Sequence, residues 1–305
     1  MPVVNYYDFF DGNHEYPINV SLALAPKCDT VELESIKYAA ITRTSQKSAF
    51  ENFVVIDTET SGLSPKTAEI LEISAIKFEH FQPVSLFTTL CRPEKKITEE
   101  TIEINGITNS MVEGKPRFQQ VADSLLEFIG DSNIVGHNLP FDLEFIVRYG
   151  ADVTRTKRKY FDTLKIAKKV LKKPKGEWDN DLKAYEVLGD EEYDVDNYRL
   201  ETLCDYYGIE QHHGHRAADD AFVTGFLFEE LLDDYCEDEV THTVYSTQKH
   251  SYVSPKTEEK SNASFERLIA GSVLALGGAG TLFFSWLGAL PLLAGLILLA
   301  VEYTK

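Results

Sequence analysis

The sequence predicts an α/β protein in which helices flank a mixed β-sheet and a transmembrane segment follows at the C-terminus. Three strand-like segments with short connections succeed one another from residue 52, as in an antiparallel meander. Strand-like and helix-like segments alternate after them, which is typical of α/β layer proteins. An uncharged apolar stretch then occupies residues 268–301. These three observations predict the fold class.

The meander is predicted from the spacing of apolar residues. An apolar strand runs from residue 52 to Ile56, and "ILEISAIKFE" alternates apolar and polar residues as a half-buried strand does. A third strand, "SLFTTLCRP", follows the turn "HFQPV". The pieces "INVSLAL" and "SIKYAAI", within residues 1–48, are also compatible with strands.

The second half of the fold alternates strands with helices. The segments "ITEETIEINGIT" and "RFQQVADSLLEFIG" are predicted as helices from their apolar periodicity. "NIVGHN" is predicted as a short strand that leads into a helix from Leu139 to Tyr149, where Pro140 suits the first turn. Further helices are predicted at 162–171, 199–207 and 217–232.

Composition divides the chain into four predicted segments. They are an N-terminal extension of unknown role (1–49), a folded domain (50–233), a polar and acidic tether (234–264) and a hydrophobic anchor (265–305). No secretory signal is predicted, because the N-terminus has no positive region before an apolar run. The four cysteines lack short paired spacings, so free thiols in a reducing compartment are expected.

The apolar stretch near the C-terminus predicts a membrane anchor. Leu268 to Val301 are 34 residues without a charge, whereas one helical span needs about 20. One span and a short helical hairpin both fit this length. A soluble core helix fits poorly, because the stretch has no polar face. Three basic residues precede the stretch and only Lys305 follows it, which predicts a cytoplasmic folded domain.

Charge is concentrated in two neighbouring segments. Of the formal net charge of -19, most lies between Glu177 and Glu239, where 21 acidic residues accompany three basic ones. Residues 155–175, which we call the basic stripe, instead carry ten basic residues and one acidic residue. The basic stripe is either a contact surface for phosphates or a solvated helix face.

Acidic residues lie where apolar elements end. Asp57 and Glu59 follow the first strand, Asp142 lies one turn into the helix after "NIVGHN", and Asp219 and Asp220 open the last helix. Such positions on one edge of an α/β sheet converge on a common crevice. Carboxylates gathered there repel one another unless divalent cations lie between them, and oxygen ligands favour magnesium or manganese.

Two such ions suit phosphodiester hydrolysis. A histidine is the natural group to take the proton of an attacking water, and "HHGHRAADDA" supplies one immediately before the last helix. The residues thus predict a metal-dependent hydrolase of phosphodiesters.

Three motifs carry a family resemblance. "VVIDTETSGL", "IVGHNLPFDLEFI" and "GHRAADDA" resemble, in order and spacing, the motifs of the DEDDh (DnaQ-like) 3'-to-5' exonucleases, the family of the epsilon proofreading subunit of the bacterial replicative polymerase. "EINGIT" also resembles a segment of these enzymes, and the resemblance covers about residues 52 to 232. It implies a ribonuclease H-like fold with a central mixed sheet.

The resemblance also implies roles for individual residues. Asp57, Glu59, Asp142 and Asp220 would bind two Mg²⁺ or Mn²⁺ ions, and His215 would be the general base. The family has four residues between its histidine and final aspartate, which selects Asp220. The residues expected to receive the terminal nucleotide are Thr60, Gly62, Leu63, Asn105, Gly106, Ile107, Asn138 and Phe141. Asp162 is predicted to be a helix N-cap.

The expected activity is therefore two-metal-ion hydrolysis at the 3' end of single-stranded DNA or RNA, with release of nucleoside 5'-monophosphates. The expected partners are a nucleic acid with a free 3' end and a lipid bilayer, contacted through residues 268–301. Two other functions fit the sequence. One is a non-cleaving, membrane-tethered module that binds nucleic-acid ends or a protein, and the other is a proofreading subunit of a polymerase.

Overall fold

A computed structural model describes residues 6–236 of the chain, except positions 29, 30, 32, 34, 35, 37, 174, 175, 180–183, 188–192 and 213. The described strands are β1 (Phe53–Thr60), β2 (Ile70–Glu79), β3 (Gln82–Leu90), β4 (Ile134–Gly136), β5 (Tyr160–Asp162), β6 (Gly176–Asp179) and β7 (Ala184–Val187). The described α-helices are α1 (Tyr6–Phe9), α2 (Glu99–Asn105), α3 (Asn109–Val112), α4 (Phe118–Ile129), α5 (Leu139–Arg148), α6 (Thr163–Val170), α7 (Leu200–Tyr207) and α8 (Ala217–Tyr235). Short 3-10 helices occupy Lys47–Phe50 and Val153–Arg155.

The first five strands form one mixed sheet in the order β3-β2-β1-β4-β5. Strands β1, β2 and β3 pair antiparallel, and β4 and β5 extend the sheet parallel to β1. This arrangement confirms the predicted meander and the mixed sheet flanked by helices. Strands β6 and β7 form a separate antiparallel hairpin, which the sequence pattern did not indicate.

Strand β1 is longer than predicted. It continues past Ile56 to Thr60, because β2 pairs with it along its whole length. Asp57 and Glu59 therefore lie within the strand and, being two residues apart, project from the same face. The prediction that β2 is half-buried was wrong, since β2 is buried on both faces apart from its last residues. Helices cover the two faces of the sheet, so alternation in β2 does not separate core from solvent.

Two helix boundaries also differ from the prediction. The helix expected over 97–108 is divided into α2 and α3, because Gly106 adopts a left-handed φ of 70° that ends α2. The helix expected at 162–171 begins at Thr163, and the residues before it form the buried strand β5. A buried parallel strand of three residues is too short to show a period.

The two faces of the sheet are covered by different helices. Side chains of Phe53 and Val55 in β1 pack in the core cluster that contains α8, and those of Val54 and Ile56 pack in the cluster that contains α4 and α5. Helix α8 approaches the sheet closely at Gly225, where an added Cβ would collide with the ring of Phe78. The end of β1 is thus enclosed by α8 on one face and α5 on the other.

The segment before the sheet packs on the folded domain. Glu15 forms a parallel bridge to Leu86 of β3, and Tyr38 forms one to Tyr160 of β5. Because β3 and β5 are the edge strands, these contacts cover both edges of the sheet. The pieces "INVSLAL" and "SIKYAAI", which are compatible with strands in the sequence, form no strand among their described residues, where the structure has only the bridge at Tyr38.

The fold divides the basic stripe. Residues 155–159 precede β5. The register places them at the end of the sheet where β1 begins, away from Asp57. Arg158 donates hydrogen bonds to backbone carbonyls, while Lys165 and Lys169 lie over tyrosine rings. Several of the basic side chains therefore have structural contacts.

Other predictions concern the cysteines and the C-terminal part. All four cysteines are free thiols, as expected. Helix α8 runs to Tyr235, so the first residues of the predicted tether are helical. Among the residues that the structure describes, no helix has the length and apolar character needed to cross a bilayer. The predicted anchor and most of the tether lie outside the described residues.

Candidate active site

Two carboxylates come from the end of β1 on the face that α8 covers. Asp57 pairs with Ser74 of β2, and Glu59 pairs with Glu72, so all four side chains lie on that face. The register shifts directly after Glu59, which is a β-bulge. Bulges occur next to active sites, where they re-aim a side chain.

Helix α8 brings a third carboxylate to this pair. One oxygen each of Asp57, Glu59 and Asp220 lie within 4.8 Å of one another. The carboxylate of Asp220 accepts a hydrogen bond from the backbone N–H of His215 and a longer one, 3.4 Å, from the amide of Gln211. We call Asp57, Glu59 and Asp220 the acid group.

Asp142 reaches the end of β1 from the opposite face of the sheet. It lies in the first turn of α5 and is only 3% exposed. Its Oδ1 accepts hydrogen bonds from the backbone N–H of Thr58, at 3.0 Å, and from the Thr58 hydroxyl, at 2.7 Å. Asp142 is outside the acid group, but its charge acts on Asp57. Three of the four predicted ligands therefore form one group, and the fourth lies beside it.

The carboxyl groups of the site titrate far from their ordinary range. Burial, followed by the charges of Asp220, Glu72 and Asp142, raises the pKa of Glu59 from 4.5 to about 8. Burial and the neighbouring carboxylates likewise raise the pKa of Asp57 well above its ordinary value. Burial also raises the pKa values of Asp142 and Asp220. The acid group thus carries more negative charge than the neighbouring described residues offset, and it favours either protons or cations.

This electrostatic arrangement predicts how pH acts on the chelator-treated protein. A carboxyl with a raised folded pKa, such as Glu59, stabilises the fold below its unfolded pKa of 4.5, and this contribution is lost as the pH rises through about 8. We expect the melting temperature in EDTA to fall between about pH 5 and about pH 8, as that linkage requires. Calorimetric melting over this range checks the expectation. An excess of Mn²⁺ at about pH 8 should restore the melting temperature. A melting temperature that Mn²⁺ does not raise would contradict the proposed metal site.

The donor set fits divalent cations that prefer oxygen. Carboxylate oxygens from two elements, β1 and α8, lie close enough to share an ion, and they are partly buried. Magnesium and manganese bind such ligands, whereas zinc and copper favour nitrogen or sulfur. The residues suited to hold the ions are the acid group, with Asp142 beside it.

His215 lies in the loop before α8, in a strained backbone conformation. Its φ is 63°, and its side chain is 54% exposed, with Nε2 at 3.4 Å from Oε1 of Glu201. Its own backbone N–H holds the carboxylate of Asp220. Non-glycine residues with a positive φ are uncommon outside turns, and they cluster at functional sites. The loop thus ties the backbone of His215 to the acid group, while its accessible imidazole lies against Glu201.

Asp219 and Asp220 are neighbours in sequence but have different environments. Asp219 is 1% exposed and accepts a hydrogen bond from the hydroxyl of Tyr6, whose pKa is raised by burial and by the charge of Asp219. The ring of Tyr6 also lies 4.1 Å from that of His212. Asp219 therefore binds the N-terminal segment to α8, whereas Asp220 faces the acid group.

The residues expected to receive a nucleotide range from exposed to fully buried. Leu63 is 88% exposed, just beyond the end of β1. Thr60 donates its hydroxyl to the carbonyl of Gly62 and fixes the turn between them. Phe141 is partly buried and packs with its ring centroid 5.0 Å from that of Phe145. Of these residues, Leu63 has the most accessible surface for a ligand.

The segment "EINGIT" contacts the acid group through Asn105. The Asn105 side chain is buried, donates a hydrogen bond to Glu59 and accepts one from the N–H of Ile107. Ile107 has no exposed surface and packs with Leu71, so its side chain lies in the core, and it does not line an open pocket. Gly106 forms the left-handed end of α2 between them.

Asp162 caps two helices. As predicted, it is the N-cap of α6, accepting a hydrogen bond from the N–H of Leu164. It also accepts one from the N–H of Asn138, which has a left-handed φ of 59° at the start of α5. Asp162 therefore helps to set the position of α5, the helix that carries Asp142.

Sequence reasoning missed Thr58, Glu72 and Arg216, which contact the predicted ligands. Glu72 is 3% exposed on β2 opposite Glu59, and it forms a two-point ion pair with Arg216. A charged residue inside the strand "ILEISAI" was the available signal. That signal was lost because the strand was predicted to have a solvent-facing side.

Comparison with known proteins agrees with the motifs. The family model described as Exonuclease matches residues 54–228. The PolC-type DNA polymerase III of Thermotoga petrophila is 36% identical over 188 residues, which are 60% of this chain and 12% of the polymerase. The chain therefore spans about an eighth of the length of such relatives. The DNA polymerase III subunit epsilon of Aquifex aeolicus is 30% identical over 184 residues, covering 60% of this chain and 81% of the subunit.

Solved structures are also similar. Exonuclease X in complex with 5' overhanging duplex DNA is 22% identical, with a TM-score of 0.42, over 59% of this chain and 91% of that one. Exonuclease I of E. coli in complex with a dT13 oligonucleotide is 20% identical, with a TM-score of 0.47, over 60% of this chain and 41% of that one.

Proposed function

This chain belongs to the exonuclease family, and we propose that it is a two-metal-ion-dependent 3'-to-5' exonuclease that releases nucleoside 5'-monophosphates. The observation that carries the proposal is the convergence of Asp57, Glu59 and Asp220, from two distant parts of the chain, with oxygens within 4.8 Å. Such a partly buried group of carboxylates is costly unless cations neutralise it.

The chain's own residues divide the chemistry between them. Asp57, Glu59 and Asp220 would hold two divalent cations, and Asp142 would add a carboxylate from the other face of the sheet. When bound, two divalent cations supply a water of lowered pKa and neutralise the charge that develops on the phosphate and leaving oxygen. His215 would accept a proton from the attacking water at a ring nitrogen. Thr58 orients Asp142, and Asn105 orients Glu59.

The proposed substrate is a single-stranded 3' end of DNA. A terminal base must leave its stack to enter a pocket, and separating paired strands costs free energy. Leu63, exposed next to Thr60 at the end of β1, offers an apolar surface for that base. The relatives named above are DNA polymerases or a subunit of one, which supports DNA over RNA.

The direct test is digestion of matched oligonucleotides by the full chain. Single-stranded DNA and RNA of the same sequence, labelled at the 5' end, are incubated with Mg²⁺ or with EDTA. We expect DNA to shorten stepwise from its 3' end, with mononucleotides as products, and no shortening in EDTA. A chain that binds both oligonucleotides and shortens neither would instead be the non-cleaving module.

A polymerase-associated proofreading role is the second candidate. The similarity to polymerase III relatives favours it. Proofreading predicts faster removal of a mismatched than a paired 3' terminus, together with binding to a polymerase. Equal rates on the two ends, and no co-purifying polymerase, would favour an independent exonuclease.

We also propose that residues 268–301 hold the enzyme at a lipid bilayer with the folded domain in the cytoplasm. The support is the uncharged length of that segment and the basic residues before it. Protease protection in intact cells tests the placement. Digestion of the folded domain from outside the cell would contradict it.

A further inference from the structure

Two carboxylates face each other directly across the antiparallel strands that form the site. Glu59 of β1 is the register partner of Glu72 of β2. Like charges directly opposite on one sheet face destabilise the pair. Glu72 is only 3% exposed, so water screens this repulsion little. A compensating cation is therefore required beside Glu72. A metal ion held by the acid group would not supply it directly, because Glu72 is not a member of that group.

Arg216 is that compensating cation. Its Nε and NH2 groups donate to the two oxygens of Glu72 at 3.0 and 2.7 Å, which is the two-point geometry of a guanidinium–carboxylate pair. Oε2 of Glu72 also accepts a hydrogen bond from the N–H of Ala217, at 3.2 Å. Glu72 therefore binds both the loop before α8 and the first residue of α8.

Arg216 lies between two proposed site residues in the sequence, His215 and Asp220. Arg216 follows His215 directly, and Asp220 donates its backbone N–H to the carbonyl of Arg216. Arg216 is the N-cap of α8, yet its side chain makes no cap hydrogen bond to the helix. Glu72, 144 residues away, takes the place of a local capping side chain. The start of α8 is thus fixed to β2, and β2 to Glu59.

We propose that Glu72 and Arg216 are positioning residues, which set His215 and Asp220 at the correct distance from Asp57 and Glu59. The inference rests on the proposed nuclease function but concerns residues that touch neither substrate nor cation. Positioning matters because a small misplacement of catalytic groups costs a large factor in rate.

The test compares two conservative variants and their combination in the full chain. Arg216→Lys keeps the charge but loses the two-point geometry, and Glu72→Gln keeps the shape but loses the charge. For each variant we expect kcat on a single-stranded oligonucleotide with Mg²⁺ to fall about tenfold or more, while KM stays within about twofold. The double variant should lose no more than the worse single variant, since both remove one contact.

The matched control is Arg155→Lys, because Arg155 also pairs with a carboxylate, that of Asp152, but its own side chain is exposed at the end of the 3-10 helix before β5. It should keep kcat within about twofold. Melting temperatures show that each variant is folded at the assay temperature. If Arg216→Lys does not fold, Glu72→Gln supplies the measurement. A folded variant with wild-type kcat, or losses that multiply in the double variant, would overturn the proposal.

Mn²⁺ binding by calorimetry separates this proposal from the proposed function. We expect weaker Mn²⁺ binding by Arg216→Lys, because Asp220 is misplaced. An effect of charge alone predicts unchanged Mn²⁺ affinity, since the lysine retains the charge of Arg216. If the wild-type chain cleaves nothing, the proposed function fails, and the calorimetry still decides on positioning. Equal Mn²⁺ affinity of wild type and Arg216→Lys would then reject it.

Discussion

The Asp57→Ala chain is expected to lose exonuclease activity by more than about 100-fold while it remains folded. Replacing even an outer partner of a metal ligand costs about 10- to 100-fold, so the loss of a ligand should exceed that range. Asp57 contributes an oxygen to the acid group and interacts with the charges of Asp142 and Asp220.

The same substitution should raise the melting temperature in EDTA at about pH 8, since it removes one of several mutually repelling carboxylates. Activity in stopped or continuous assays and melting in EDTA are the two measurements. Asp123→Ala, on the exposed side of α4, is the matched control and should change neither. Near-normal turnover of Asp57→Ala would refute the assignment of the metal site.

The second large effect is expected at His215, where we predict a loss of about 100-fold or more in kcat, the usual scale for a missing general base. The substitution is best made to asparagine. The φ of His215 is 63°, and asparagine tolerates that conformation better than alanine does. His215→Asn therefore removes the imidazole with little change to the backbone N–H that holds Asp220.

His80 offers a matched control for this experiment. It also has a positive φ, 52°, and an exposed ring, and it lies 3.0 Å from a glutamate, Glu51. It is in the hairpin between β2 and β3, at the end of the sheet where β1 begins, whereas Asp57 lies toward the other end of β1. His80→Asn should keep full activity. A His215→Asn chain with unchanged kcat and unchanged Mn²⁺ affinity would exclude His215 as the base.

Much of the candidate site was predictable from the sequence because its residues lie in short segments with fixed spacing. The order of the motifs and the four residues between His215 and Asp220 indicated the candidate residues. The structure brings Asp220, not Asp219, to the acid group, which agrees with that spacing. The meander was predictable for a similar reason, since β1, β2 and β3 are neighbours in sequence and in the sheet.

The supporting contacts were not predictable, because they join residues far apart in the chain. Tyr6 reaches Asp219, and Arg216 reaches Glu72, through pairings that no local pattern encodes. The N-terminal segment contains short alternating pieces that are compatible with strands, but its described backbone bridges the sheet edges only at single residues. Its contribution to the fold follows from where those edges lie.

The sequence by itself determined which residue types are available and in what order, because the polarity of each residue and the spacing within a motif are local properties. Tertiary structure alone decided that Asp57 and Glu59 face α8 while Asp142 arrives from the α5 side. It also decided that β2 is buried on both faces and that Glu72 needs Arg216. The physical reason is that burial and charge compensation depend on which elements pack together across the sheet.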